Sequence, residues 1–292
     1  MEEIKAKAYP YKVIKSNPNQ QINIFPLLRD SDGSEKMWCI SPHHGRSFVV
    51  EITEDGKYIV SKGNGLSYTQ YQHLHSAEFG NNTWGVLLKN DACRDFTLGM
   101  EISQLGIKTN VMNYVLELDK NILLTNGHTI TPVLLQYTVE CPYRICDTAY
   151  MRRSEIEKQV GKWKLFDKWN CSNYHLIAAH ILIDNLRILH DNEILHNAIH
   201  PQNYTWALEL LDFELACSPS HPYSNEEDIS RVKDLYSREI IQTYDVINHI
   251  AWSLGETFDY KTIDNIFLQY GFDLATMANP TNKITDTFND EM

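Results

Sequence analysis

Asn203 and Asp212, nine residues apart, have the side-chain types and the spacing of a metal site that serves a phosphate ligand. An amide oxygen and a carboxylate, one at each side of a predicted hairpin, can hold Mg²⁺ against the phosphates of a nucleotide. Asp212 also lies in the apolar segment Leu210-Leu-Asp-Phe213, where an acid is costly unless it binds something. The pair therefore predicts a site for a nucleotide with Mg²⁺ or Mn²⁺.

The segment before this pair has the shape of a kinase catalytic loop. In that pattern, H-x-D-x-x-x-x-N precedes a short hairpin and a metal-binding Asp. His196 and Asn203 stand seven residues apart, as the pattern requires, but Ala198 occupies the position of the catalytic Asp. An alanine cannot accept a proton from a substrate hydroxyl, so the loop is typical of a pseudokinase.

A kinase-like site also needs a strand lysine on the phosphates and a helix carboxylate that holds this lysine. Lys62 ends a predicted strand just before Gly63-Asn-Gly65, and Asp95 lies early in the next predicted helix. We therefore expect Lys62 and Asp95 to form this pair.

Several segments, in order along roughly residues 43–215, resemble motifs of the SelO (YdiU) pseudokinase family. His196 to Asn203 is similar to the family's loop, which likewise lacks the catalytic Asp, and the step from Asn203 to Asp212 matches. The other similar segments are Gly45-Arg46, Lys62 to Tyr68, Arg94-Asp-Phe96 and Leu105 to Thr109.

The resemblance implies a protein adenylyltransferase that binds ATP in a flipped orientation and moves AMP onto hydroxyl side chains of proteins. By position, Lys62 and Asp95 would orient the phosphates, Asn203 and Asp212 would hold Mg²⁺ or Mn²⁺, and Lys62, Asp95 and Asp212 would form the catalytic set. The remaining nucleotide contacts would come from Arg46, Gly63, Gly65 and Arg144.

Four positions depart from the family's pattern. The family's second phosphate-contacting arginine falls on Tyr137, and the acid before its metal Asn falls on Gln202, which cannot act as a general base. The glycine that follows its metal Asp falls on Glu214. Asp95 is one methylene shorter than the family's Glu, so its helix must approach Lys62 more closely.

The elements that must position these residues change character near residue 138. Before it, short strands prevail, with a hairpin of Ser47–Thr53 and Tyr58–Lys62 around Asp55-Gly56 and a helix over 91–104. Further strands are predicted over 111–118 and 131–138. After it, helices are predicted over 154–169, 172–190, 226–255 and 260–270, with a buried strand over 207–213.

This order predicts an α+β fold of the protein-kinase type. Residues 1–138 would be a β-rich N-lobe and residues 139–292 a helical C-lobe, with ATP in the cleft between them. The paired histidines His43-His44 are more typical of a satisfied or exposed pair than of a nucleotide-binding loop.

Composition excludes several classes of protein. The 292 residues carry a formal charge of −12, and a nucleic-acid-coating or anionic-membrane protein needs a basic face. No apolar run is long enough to span a bilayer, the charged start lacks a signal region, and the six cysteines form no metal pattern. A cytoplasmic protein with free thiols is expected, whose protein substrate or partner the sequence does not name.

Two other functions stay open. One is a small-molecule phosphotransferase that resembles aminoglycoside kinases, whose loop shares His200-Pro201 and Asn203, although Ala198 removes the base that this class uses. The other is an inactive pseudokinase that binds a nucleotide or a partner protein, which Tyr137, Gln202 and Glu214 favour.

Overall fold

An antiparallel sheet occupies the first half of the chain. The structure is a computed structural model that describes residues 1–41, 45–65, 85–123, 127, 129–222 and 232–274. Within them, eight strands form one sheet in the order β2-β7-β10-β6-β5-β4-β1-β3, and β8 and β9 form a small separate pair. In chain order the strands are β1 Glu2–Ala8, β2 Tyr11–Ser16, β3 Leu27–Arg29, β4 Glu35–Cys39, β5 Ser47–Ile52, β6 Tyr58–Lys62, β7 Val111–Leu118, β8 Ile122–Leu123, β9 Thr129–Ile130 and β10 Val133–Val139.

The predicted hairpin at the centre of this sheet is confirmed. β-branched residues favour the two strands, and Gly56 turns the chain between them with φ +79°. Ser47 is the register partner of Lys62, so the end of β6 lies beside the start of β5. β6 therefore places Lys62 at the end of the strand pair where the loop before β5 joins the sheet.

Helix α1 (Lys89–Gln104) packs against this sheet through a close approach at Gly99. A Cβ at Gly99 would overlap Met112 Cε on β7 and lie 3.1 Å from Phe213 Cδ2. Because a methyl group there would displace Met112 and press on the Phe213 ring, glycine permits the close approach of α1 to the segment that follows Asp212.

Four further helices are described in the second half: α2 Arg153–Trp163, α3 Tyr174–Asp191, α4 Val232–Leu254 and α5 Tyr260–Gln269. α3 is the central one, with Ile177, Leu182 and Leu186 fully buried. Its first two amides, those of Tyr174 and His175, donate to the two carboxylate oxygens of Glu256 at 2.9 Å each. An acid from beyond α4 therefore caps the start of α3.

Two predicted elements are wrong in detail. The helix predicted over 154–169 ends at Trp163 and continues only as a 3₁₀ turn over Lys164–Phe166. Asp167 Oδ1 accepts hydrogen bonds from the amides of Trp169 and Cys171, both at 3.2 Å. This local side-chain acceptor replaces the helical carbonyls and turns the chain.

The strand predicted over 207–213 is buried but irregular. Leu208 and Asp212 have φ of +58° and +67°, which a strand cannot contain. Leu210 makes only isolated bridges, with Tyr204 and Thr109. For the helix predicted over 226–255, residues 226–231 lie outside the described part, and α4 accounts for the rest.

One apolar core lies beneath both halves. It joins Val60 of β6 and Leu98 of α1 to Leu182 of α3 and Phe213. The predicted α+β class, with a β-rich first part and a helical second part, is confirmed. Among the described helices, none has the length and apolar character that a membrane crossing requires.

Candidate functional site

Lys62 lies at the centre of the site. It is the last residue of β6 and only 2% exposed. Its Nζ lies 3.0 Å from Asp95 Oδ2, 2.7 Å from Asp212 Oδ1 and 2.8 Å from Glu214 Oε1. Burial by itself would lower the pKa of Lys62, but the carboxylates of Asp212, Asp95 and Glu214 outweigh it and raise the pKa well above the ordinary value. The ammonium is therefore charged at every physiological pH.

Asp95 reaches Lys62 from α1, as predicted. Its Oδ1 accepts a hydrogen bond from the amide of Phe213 at 3.0 Å, so this carboxylate joins the helix, the strand and the segment after Asp212. Burial raises the pKa of Asp95 to about 6, because it outweighs the opposing attraction of Lys62. The close packing at Gly99 supplies the short reach that aspartate needs in place of glutamate.

Asp212 is held in an unusual backbone conformation. Its φ of +67° is rare for a residue with a side chain, and such strain persists only where the surroundings impose it. The residue before it is fixed on both sides: the amide of Leu211 donates to the Asn203 carbonyl at 2.9 Å, and its carbonyl lies 2.9 Å from His196 Nε2. His196 thus supports the loop through this contact.

The ionisation of Asp212 follows from its neighbours. Burial acts to raise its pKa, but Lys62, Arg46 and Arg144 together lower the pKa well below the ordinary value. Burial lowers the pKa of the fully buried His196, so the imidazole adds no competing positive charge. A carboxylate that stays ionised in a cationic surrounding can serve as a metal ligand.

Glu214 is the residue whose role the sequence reasoning missed. Arg46 Nη2 donates to both of its carboxylate oxygens, at 3.1 and 3.0 Å, while Lys62 contacts Oε1. Burial acts to raise its pKa, but Lys62 and Arg46 hold the pKa below the ordinary value. The signal was present in the sequence as an acid in place of the family's glycine, but a departure alone does not predict its partners.

Gly63 and Gly65, which follow Lys62, adopt a left-handed backbone conformation that the turn requires. Gly63 and Gly65 have φ of +98° and +95°. The Gly63 amide donates to the Arg46 carbonyl at 2.9 Å, and a Cβ at Gly63 would lie 2.6 Å from the Val133 carbonyl. Only glycine fits this turn, which ties the lysine strand to Arg46.

Arg144 and Asn203 form a second group of contacts. Arg144 Nη1 donates to the Gln202 carbonyl at 2.7 Å and to Asn203 Oδ1 at 3.3 Å. Asn203 Nδ2 donates to the Ala198 carbonyl at 2.8 Å. Both residues predicted for ligand contact therefore also hold the loop 198–203 in place.

The donor set fits a hard divalent cation. Carboxylate oxygens of Asp95, Asp212 and Glu214 all lie within 4.8 Å of one another, and Mg²⁺ and Mn²⁺ prefer such oxygen ligands. Lys62 Nζ contacts all three, so a cation near Asp212 requires Lys62 or Glu214 to move. In this cluster the three acids face the two cations Lys62 and Arg46, and Arg144 is a further cation that lowers the pKa of Asp212.

The structure brings together most of the predicted residues. Lys62, Asp95 and Asp212 are in direct contact, and Arg46 joins them through Glu214. Tyr137, at the position of the family's second arginine, is buried in the core. His43, His44 and the segment 66–68 lie outside the described residues.

Comparisons with known proteins give a distant likeness of fold. No family model matches the chain, and no curated protein matches it. Among solved structures, a Toxoplasma gondii specific rhoptry antigen kinase domain is 10% identical with a TM-score of 0.39, covering 81% of this chain and 76% of that one.

Two further solved structures are similar at the same level. A Stt7 homolog from Micromonas algae, soaked with ATP, is 12% identical with a TM-score of 0.37, over 89% of this chain and 86% of that one. The ROP18 kinase domain in complex with AMP-PNP and sucrose is 12% identical with a TM-score of 0.31, over 94% and 87%. At TM-scores this low, the activity of this chain has to be inferred from its own residues.

Proposed function

We propose that this chain binds ATP beside Lys62 and Asp212 and transfers AMP to hydroxyl side chains of proteins. The observation that supports it is the contact of Lys62 with both Asp95 and Asp212, next to a loop in which alanine replaces the proton-accepting aspartate. These are the parts that orient phosphates, without the part that a kinase uses as its base.

The chemistry assigned to the residues is electrostatic. In AMP transfer the attacking hydroxyl oxygen bonds to the α-phosphorus, the bond to the bridging oxygen breaks, and pyrophosphate leaves with that electron pair. Lys62 and Arg46 would stabilise the charge that grows on the leaving group. Since neither Ala198 nor Gln202 can accept a proton, the hydroxyl proton would leave to solvent.

Asp212 would hold the metal with Asn203 as the second ligand. When bound, Mg²⁺ or Mn²⁺ would neutralise phosphate charge and polarise the phosphoryl oxygens. Asp95 keeps Lys62 in place, and Arg144 orients Asn203. The division of the chain into an N-lobe of residues 1–138 and a C-lobe of 139–292 is part of this proposal.

A catalytically inactive nucleotide-binding pseudokinase is the second candidate. It is favoured by Glu214, whose carboxylate already engages the two cations that phosphates would need. An aminoglycoside-kinase-like phosphotransferase is less well supported, because Ala198 cannot act as its base.

Radiolabelled ATP separates the three functions. The protein is incubated with Mg²⁺ or Mn²⁺ and with ATP labelled at either the α or the γ phosphate, and self-labelling is measured beside nucleotide binding. Label from the α position alone supports AMP transfer, and label from the γ position indicates a phosphotransferase. Binding without either label indicates the inactive pseudokinase.

Variants test the site itself. Lys62→Ala and Asp212→Ala should weaken ATP binding at least tenfold, whereas Lys57→Ala, on the neighbouring exposed turn, should not. If both site variants bind ATP as the parent does, the assignment of the site is wrong.

A further inference from the structure

A cavity lies beside the segment that joins Asn203 to Asp212, among residues to which the proposed function gives no role. It has a volume of about 610 Å³, within the range of small-molecule sites. Ala207 and Leu208 form part of its wall, and none of the ATP-site residues named above lines it. The other lining residues are Gly106, Lys108, Glu140, Gln159, Lys162, Trp163, Leu165, Phe166, Lys168, Trp169, His180, Ile181, Asp184 and Asn185.

The surface that lines the cavity is mainly apolar, although about half of the lining residues are polar or charged. Trp169 stacks on His180, with ring centroids 4.2 Å apart and an angle of 5° between the rings. Phe166 and Leu165 line the same cavity although they are 57% and 84% exposed. A flat apolar molecule would cover these side chains and find a parallel aromatic pair beside it.

Some lining residues carry buried polar atoms without hydrogen-bond partners among the described residues. His180 is 6% exposed, and its Nδ1 has no hydrogen-bond partner among the described residues. The buried Oε1 of Gln159 is likewise without one in the described part of the chain. Both atoms are buried beneath the cavity surface, so the ligand is inferred from the apolar walls and from the charges.

The charged residues that line the cavity indicate the charge of its ligand. Among the lining residues, Lys108 pairs with Glu140 at 2.8 Å, and Asp184 pairs with Arg187 at 2.7 Å. Lys162 and Lys168 form no ion pair with a described residue, and Lys168 Nζ lies 5.0 Å above the Trp169 ring. Two unpaired ammonium groups on a chain of charge −12 favour an anionic group at the mouth of the cavity.

We propose that this cavity binds a small planar aromatic acid, its rings against Trp169 and Phe166 and its carboxylate near Lys162 and Lys168. The site is separate from the ATP site, so the proposal does not depend on AMP transfer.

The test uses 2-naphthoate and the uncharged 2-naphthamide, which share one ring system, with binding to the intact chain followed by ligand-observed NMR. We expect 2-naphthoate to bind more tightly than the amide by at least threefold. Lys162→Gln and Lys168→Gln should each weaken the binding of 2-naphthoate by about threefold and leave the binding of 2-naphthamide unchanged. Lys158→Gln, one turn before Lys162 on the exposed side of α2, is the matched control and should change neither.

Ile181→Phe adds bulk to the cavity wall from a partly exposed position and should abolish binding of both probes while ATP binding persists. Thermal melting verifies that each variant is folded. The proposal is overturned if 2-naphthoate does not bind at millimolar concentration, if the lysine variants bind it as the parent does, or if ATP displaces it.

Discussion

Arg46 Nη2 donates to both carboxylate oxygens of Glu214, and the same carboxylate lies 2.8 Å from Lys62. One acid thus engages two cations that lie together at the open end of the β5–β6 hairpin, where Ser47 is paired with Lys62. A phosphate group would need the same donors, so Glu214 competes with the nucleotide.

Glu214→Ala should therefore tighten ATP binding. Freeing Arg46 and Lys62 removes charge-assisted hydrogen bonds that the nucleotide has to replace, which corresponds to about tenfold in Kd. Isothermal titration calorimetry with Mg²⁺-ATP measures it, with Glu117→Gln as control because it removes one acid from a surface ion pair with Lys89. Unchanged or weaker binding by Glu214→Ala would show that Glu214 does not compete.

Lys62→Met should destabilise the protein and create a dependence on divalent cations. Without the ammonium, three carboxylates within 4.8 Å lose their common partner, which should cost about 3 to 5 kcal/mol in the free energy of unfolding. Mg²⁺ can then take its place, so millimolar Mg²⁺ should raise the Tm of the variant more than that of the parent.

The control for this comparison is Lys89→Met, whose ammonium pairs with Glu117 while 50% exposed. Its stability should change by less than about 1 kcal/mol, with no added response to Mg²⁺. Equal Mg²⁺ responses in the parent and Lys62→Met would contradict the expected cation site.

Glu209 should make stability depend on pH near neutrality. This 3% exposed carboxylate accepts hydrogen bonds from the Glu140 amide at 2.7 Å and from Thr205 Oγ1 at 2.8 Å. Burial outweighs these bonds and raises its pKa from 4.5 to about 7. The folded state therefore holds the Glu209 proton more tightly than the unfolded state does. The stability that this protonation contributes is fully present below pH 4.5 and is lost as pH rises through 7.

The difference between the parent and Glu209→Gln isolates this titration from all others. Between pH 4.5 and 7.5 the parent should lose up to about 3 kcal/mol relative to the variant, which follows from the shift in pKa. Urea unfolding at a series of pH values gives both curves. Parallel curves would mean that Glu209 keeps an ordinary pKa.

Two helix glycines should respond to alanine in opposite directions. In α1, Gly99→Ala puts a methyl group into Met112 and Phe213 and should destabilise by about 1 to 3 kcal/mol. In α2, Gly161 has no heavy atom within 4 Å of the position of a Cβ, so Gly161→Ala should stabilise by about 0.5 to 1 kcal/mol. Chemical denaturation of the pair measures both, and a stable Gly99→Ala would show that α1 can shift away from Phe213.

Local patterns predicted the regular elements well. The β5–β6 hairpin follows from β-branched residues around Asp55-Gly56, and α3 follows from its apolar spacing. The strand predicted over 207–213 was wrong, because apolar composition does not reveal the positive φ of Leu208 and Asp212. The helix expected to reach residue 169 stopped early because a single side chain, Asp167, supplies competing acceptors.

Only the part of the site that depends on residue type and position along the chain could be predicted from the sequence. Lys62, Asp95 and Asp212 could be assigned because each has a residue type and a position that a phosphate site requires. The role of Glu214 could not, since its partner Arg46 is 168 residues away and meets it only after the sheet and the loop have packed. The sequence predicted that Arg144 contacts the nucleotide. In the structure it donates a hydrogen bond to the loop carbonyl of Gln202.

The carboxylate that caps α3 has a consequence for biosynthesis. Tyr174 and His175 donate to Glu256, which leaves the ribosome about eighty residues later. Until α4 has been translated, the first turn of the central helix lacks its acceptor and the core beneath it lacks α4. We therefore expect α3 to acquire its packed form only once α4 and Glu256 have left the ribosome, and its apolar face to be exposed to chaperones in the interval.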